Sequence, residues 1–227
     1  MNHNITVEGG TSVRLPTAGK YCDRDIVITA EGGGGGGNTL NEFIADTLED
    51  ADCDDVVSID ASFFRNKSGL KRVRLANLTK MGNYNFQDCD NLETIDLPKY
   101  AKAMGSYFGS GCGKLVNVNI PLVTETNSYA VGQCYALEKL DLPSLKAITG
   151  YSFRNCSKLV TLILRYPSGV DLKSTTNVFS NTPIVDGTGY IYVPKNLIDS
   201  YYKTATNWAG FADQFRAIED YPEITGG

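Results

Sequence analysis

Leu92-Glu93-Thr94-Ile95-Asp96-Leu97-Pro98 and Leu137-Glu138-Lys139-Leu140-Asp141-Leu142-Pro143 share one pattern, L-x-x-φ-x-φ-P, with φ an aliphatic residue. Laid along the chain, the pattern recurs at Leu70-Val73-Leu75, Leu115-Val118-Ile120 and Leu159-Leu162-Leu164, and successive first positions differ by 22, 23, 22 and 22 residues. Pro98, Pro121 and Pro143 follow three of the copies, whereas Arg165 follows the last. More columns keep the register: Tyr84, Tyr107, Tyr129 and Tyr151; Cys89, Cys112, Cys134 and Cys156; and Phe86, Val131 and Phe153, with Gly109 at the copy that breaks it.

A period of 20–29 residues built on L-x-x-L-x-L is the signature of a leucine-rich-repeat solenoid. Each copy supplies one short strand, and proline ends it by removing a ladder donor. No copy can bury its apolar columns alone, so stacking makes the core. The fold class is therefore an α+β repeat: a leucine-rich-repeat solenoid of about six coils of 22–23 residues, with helical caps, preceded by a small β module. At the ~4.8 Å strand spacing such a stack is roughly 30 Å long. Val56 to Phe64 reads as an incomplete first coil, and Val178-Phe179 to Ile191-Tyr192-Val193-Pro194 as an irregular last one.

Working outward, residues 39–55 read as an N-terminal cap helix and an acidic turn. Thr39 and Glu42 form a capping box, and Leu40, Phe43, Ile44 and Leu48 share one helical face ending near Asp50. Residues 56–194 are the solenoid. Residues 195–227 are a helical cap and tail carrying Leu197, Ile198, Tyr201, Tyr202 and the one tryptophan, Trp208, to seal the open end. Residues 32–38 hold the run Gly32 to Gly37, a linker. Residues 1–31 form a thin β-rich module with strand-like Ile5-Thr6-Val7 and Ile26-Val27-Ile28-Thr29 around a turn-like Leu15 to Lys20. So small a module needs a partner surface or self-association.

Composition removes several functions. His3 is the single histidine, so catalytic triads and multi-histidine metal sites cannot be assembled, and no catalytic residue or metal ligand is assigned. The net charge of −5 disfavours nucleic acid. No run reaches a membrane span, and Met1 to Val7 lacks the basic and apolar regions of a signal peptide. The expectation is a non-enzymatic protein without cofactor.

The four repeat cysteines sit at one inward position and read as a structural column of buried free thiols rather than disulfides or metal ligands. Cys22 and Cys53 have no evident partner. Asp50, Asp52 and Asp54 begin like a calcium loop, but Asp55 stands where glycine is needed and Ala61 where glutamate is, which leaves a solvated acidic turn. Gly109-Ser110-Gly111-Cys112-Gly113-Lys114 lacks the spacing of a phosphate loop. Outward strand positions carry the binding question: Arg72 and Arg74, Thr94 and Asp96, Asn117 and Asn119, Lys139 and Asp141. They make either a solvated sheet face or a broad polar recognition surface. The tyrosine column is structural, or else a stripe touching sugar or protein.

Met81-Gly82-Asn83-Tyr84-Asn85-Phe86 through Cys89, Leu92, Ile95, Leu97 and Pro98 resembles the BspA-like leucine-rich repeat, I-G-x-x-A-F-x-x-C-x-x-L-x-x-I-x-I-P. Ile148 to Leu164 resembles it too. Leu15-Pro16-Thr17-Ala18-Gly19-Lys20-Tyr21-Cys22-Asp23-Arg24-Asp25-Ile26-Val27 is similar to a short module of phage tail and fibre proteins. The resemblance implies a phage virion fibre protein of tail or head type. It would be assembled in the host cytoplasm and act outside the cell. Residues 1–31 would join other virion proteins and the repeats would meet a host cell-surface protein or glycan. A homo-oligomer is expected, a trimer by analogy with fibres, with no nucleic acid bound and no membrane insertion. A bacterial cell-surface adhesin domain and an intracellular effector or anti-defence interaction protein are the alternatives.

Overall fold

The computed structural model describes residues 3–7, 11–15, 49–52, 54 and 56–225. The chain opens with an antiparallel hairpin of β1 (His3–Val7) and β2 (Thr11–Leu15), His3 opposite Leu15. The partner of the first strand is thus Thr11–Leu15, whose Ser12-Val13-Arg14-Leu15 alternates polar and apolar residues, and Leu15 ends a strand rather than starting a turn. The second expected strand, Ile26 to Thr29, lies outside the described residues, as do the glycine linker and the cap helix up to Leu48.

The solenoid strands follow: β3 (Asp50–Asp52), β4 (Ser58–Ile59), β5 (Arg72–Arg74), β6 (Lys80–Met81), β7 (Thr94–Asp96), β8 (Asn117–Asn119), β9 (Lys139–Asp141), β10 (Ala147–Ile148), β11 (Thr161–Ile163), β12 (Asp171–Leu172), β13 (Tyr190–Val193) and β14 (Phe215–Ala217). One side of the solenoid carries two parallel four-stranded ladders, β3-β5-β7-β8 and β9-β11-β13-β14. Another carries the short pairs β4-β6 and β10-β12, continued between them by bridges Met104↔Thr126 and Glu125↔Ala147.

Both ends differ from the sequence reading. Asp50–Asp52 is no turn: it pairs in register with Arg72–Arg74, so the stack starts one strand earlier. Phe215–Ala217 pairs with Ile191 to Val193, so the expected helical tail adds a strand, and the coils number about seven. The helical pieces of the tail are short: Lys195–Leu197, a π turn Ile198–Tyr202, 3-10 turns Ala209–Gln214 and Ile218–Asp220, and Pro222–Thr225.

Stacking fills the interior with the repeat columns. Leu70, Leu92, Leu115, Leu137 and Leu159 are fully buried, as are Val73, Ile95 and Leu162. Phe64 stacks on Phe86 at 5.6 Å, and Phe86 meets Phe108 edge-on at 5.2 Å. Phe108 precedes the Gly109 that interrupts the phenylalanine column, and its buried ring supplies aromatic volume at that coil. Each return segment turns through two left-handed residues four apart: Ser62/Asn66, Tyr84/Asp88, Tyr107/Gly111, Tyr129/Gln133, Tyr151/Asn155 and Asn177/Asn181.

The tail closes the last coil through hydrogen bonds as well as apolar contact. Trp208 Nε1 donates to the Val170 carbonyl at 2.7 Å, and the Val170 amide donates to the Tyr202 hydroxyl at 3.0 Å. Both aromatic residues are fully buried, with Phe215 packed against them. A buried turn whose two backbone groups would lack coil partners is thereby satisfied.

Coil spacing leaves no room at Gly82. A Cβ there would lie 2.5–2.8 Å from backbone and side-chain atoms of Ala61 in the preceding coil. Gly82→Ala should therefore destabilise by about 1–3 kcal/mol through overpacking, read as a lower urea midpoint at unchanged slope. An unchanged midpoint would show that the two coils part freely.

Candidate functional site

Register carries the outward strand residues into two rows. One runs Asp50, Arg72, Thr94, Asn117, and the other Asp52, Arg74, Asp96, Asn119. Beyond β8 the rows resume as Lys139, Thr161, Tyr190 and as Asp141, Ile163, Tyr192. All eight residues assigned from the sequence thus lie on one face, because side chains alternate along each strand and coils repeat in register.

The first coils of this face are internally paired. Arg72 reaches Asp50 at 2.6 Å. Arg74 bridges Asp52 at 3.0 Å and Asp54 at 2.7 Å, with Asp96 at 3.5 Å. The hydrogen bond to Asp52, then that to Asp54, pushes the Arg74 pKa further up. Asn119 Nδ2 donates to Asp96 Oδ1 at 2.7 Å. The D-x-D-x-D stretch therefore begins as a strand, Asp50–Asp52, with Asp54 in the exposed bend beyond it, and its carboxylates hold arginines. The exposed Arg74 pairs contribute about 0–1 kcal/mol each, so they order the face more than they stabilise the fold, whereas Asp50 is itself buried against Arg72.

Asn117 and Lys139 differ. Both are exposed, and neither side chain has a hydrogen-bond or ion-pair partner among the described residues. They occupy the junction between the two ladders, where Val118 is only partly buried.

The last coils hold what the sequence reading missed. Ile163, outward by the repeat register, is fully buried, and Tyr192 nearly so, because the tail folds back over the strand face with Ile218, Tyr221 and Ile224. Tyr192 and Tyr221 meet edge-on at 5.1 Å, and the Arg216 guanidinium lies 4.0 Å from the Tyr190 ring centre. Arg165 fastens the flap: it pairs with Asp141 at 2.8 Å and donates to the Ile224 carbonyl. The signal was present in the sequence, since Arg165 stands where three earlier copies have proline.

Inside, the cysteine column serves the turns. Each thiol donates to a carbonyl of the preceding coil: Cys89 to Phe64 at 2.9 Å, Cys112 to Phe86 at 2.9 Å, Cys134 to Gly109 at 3.1 Å and Cys156 to Val131 at 3.0 Å. All four are free and buried. Burial pushes the Cys112 and Cys134 thiols well above the ordinary range, so they remain protonated donors and poor nucleophiles. Thr182, fully buried, takes the corresponding place in the next coil, its hydroxyl donating to Phe179 O at 2.7 Å. No helix among the described residues is long and apolar enough to cross a membrane.

Comparison with known proteins agrees with this architecture. The family model described as BspA type Leucine rich repeat region matches residues 43–160 in six copies, just over half of the chain. A leucine-rich repeat protein from Eubacterium ventriosum is similar in structure, with a TM-score of 0.51 and 24% identity over 57% of this chain and 35% of that one. Another from Bacteroides ovatus gives 0.44 and 18% identity over 61% of this chain and 43% of that one. A leucine-rich repeat protein of T. pallidum gives 0.35 and 20% identity, over 61% and 52%. The chain thus spans about a third to a half of the length of these structures. A search of curated proteins finds no match.

Proposed function

The chain belongs to the BspA type leucine-rich repeat family, a protein-interaction or surface repeat fold that is generally non-enzymatic, and from that premise we propose that it is a recognition protein whose strand face docks a partner on a cell surface. One observation carries the choice of face. Asn117 and Lys139 are exposed and unpartnered at the ladder junction among the described residues, while Arg72, Arg74, Asp96, Asn119 and Asp141 around them are held by neighbours. A rigid rim around free donors is a pre-organised contact surface. For its setting we propose a phage virion fibre in which residues 1–31 anchor and oligomerise the chain, as the likeness of residues 15–27 to phage fibre modules suggests. Weak contacts per chain would then add through multivalency.

The test has two arms. Labelled full-length protein is titrated onto bacterial cells by flow cytometry, against a variant carrying Asn117→Arg and Lys139→Glu. The variant should bind at least tenfold more weakly, and equal binding removes the strand face from the role. Antibody against the chain should decorate phage particles from the source strain in electron micrographs. Bare particles beside stained bacterial walls would assign an adhesin instead.

A further inference from the structure

Away from the strand face, on the turns that follow the second-side strands, Tyr84, Tyr107, Tyr129 and Tyr151 form one row. Their ring centres are 5.3, 4.8 and 4.8 Å apart and their planes lie within 18° of parallel. All four have left-handed backbones, with φ from 54° to 63°. That conformation is strained for a residue with a Cβ. The first and last coils meet the same turn with Ser62 and Asn177, so the turn itself does not require tyrosine.

Carbon atoms touch at roughly 3.5–4.0 Å. Parallel rings with centres 4.8 Å apart are therefore slipped past one another, like roof tiles. The rings are half-buried, and Tyr129 Cδ1 would lie 3.4 Å from a Cβ on Gly132, so that ring is bedded on the glycine. The hydroxyls of Tyr84, Tyr107 and Tyr151 have no protein partner among the described residues, and that of Tyr129 accepts a long bond from Arg154 at 3.4 Å. Guanidinium groups flank the row, Arg65 at 5.7 Å from the Tyr84 ring centre and Arg154 at 5.9 Å from that of Tyr151. Neither meets a carboxylate among the described residues.

We propose that this row binds a linear, neutral polysaccharide laid along the solenoid axis. Phenolic hydroxyls both donate and accept, which matches a ligand whose own hydroxyls do the same. The offset, half-buried rings offer an apolar edge to sugar C–H groups, and the two arginines add donors at the ends. Stacking already holds the rings, so little side-chain freedom is lost on binding. A proline-rich peptide would need open slots between aromatic rings, and here ring covers ring. A strongly anionic chain is disfavoured by the net charge of −5. The site is separate from the strand face and stands or falls independently of it.

Affinity electrophoresis of the full chain through native gels containing soluble β-glucan, xylan, mannan or dextran tests this, with heparin gels and a decaproline titration alongside. At least one neutral polysaccharide should retard the protein. Tyr107→Asn with Tyr129→Asn, which gives these turns the residue that Asn177 supplies in the last coil, should weaken that retardation tenfold or more. Tyr107→Phe with Tyr129→Phe keeps the stack and should weaken it at least threefold, and this pair decides the matter if the asparagine pair fails to fold. Retardation by none of the four, or by heparin alone, overturns the assignment. So does full retention in a folded asparagine pair, or decaproline binding lost in that pair. Loss of retardation on Lys139→Glu as large as in the asparagine pair would move the sugar to the strand face and equally overturn it.

Discussion

Leu137→Asp abolishes the folded state. Leu137 is fully buried in a central coil, between Leu115 and Leu159 of the coils on either side, which are equally buried. Removing a leucine side chain from a packed core costs about 2–5 kcal/mol before any charge is counted. A carboxylate among Leu, Ile and Phe then either stays ionised without a partner or takes up a proton, and each course costs further. The total approaches or exceeds the ~5–15 kcal/mol that holds an ordinary domain together. In a stack where each coil rests on its neighbours, a break in the middle also separates the two halves. Circular dichroism should show no cooperative melt. Val116→Asp, at a position 45% exposed, is the matched control and should stay within about 0.5 kcal/mol of the parent. A cooperative melt of the Leu137 variant near the parent temperature would mean that the leucine columns do not hold the fold.

How far the residues could be read follows from which interactions repeat. The columns of Leu, Phe, Tyr and Cys recur through the central coils, so four aligned copies revealed the period, the burial and the shared outward face. The ends had no such redundancy. Asp50-Ala51-Asp52 carries two acids in three residues and looks like a turn. It becomes a strand because Val73 and Ile95 continue beyond it and Arg72 and Arg74 neutralise it. Phe215-Arg216-Ala217 lies in a stretch of helical spacing and becomes a strand because β13 offers an open edge. Here tertiary pairing outweighs local propensity. The same holds for the candidate site. The outward positions of β5, β7, β8 and β9 followed from the repeat alone. That Ile163 is roofed by Ile218 and Ile224 depends on a contact across more than fifty residues, which no periodicity announces.

Stability should fall steeply between pH 8.5 and 10. Burial first, together with neighbouring thiols, raises the pKa of Cys112 and of Cys134 well above the ordinary value. In the unfolded chain a thiol loses its proton near pH 8.5. Below that pH both states hold the proton, and the contribution to stability is fully present. Above it the unfolded state binds fewer protons than the native one, so the free energy of unfolding drops as pH rises, until the native thiols also ionise. Each thiol contributes a limiting slope of about 1.4 kcal/mol per pH unit while the unfolded chain is ionised and the native thiol is not. Buried Tyr202, whose hydroxyl is also pushed up by burial, adds to the loss above about pH 10. The check is a series of urea melts under reductant from pH 7 to 10. Cys112→Ser with Cys134→Ser keeps a donor for the Phe86 and Gly109 carbonyls and removes the titration. Its midpoint should start lower and then stay nearly level with pH. If parent and serine pair decline in parallel, the alkaline sensitivity belongs to other groups and the thiols are not held neutral by the fold.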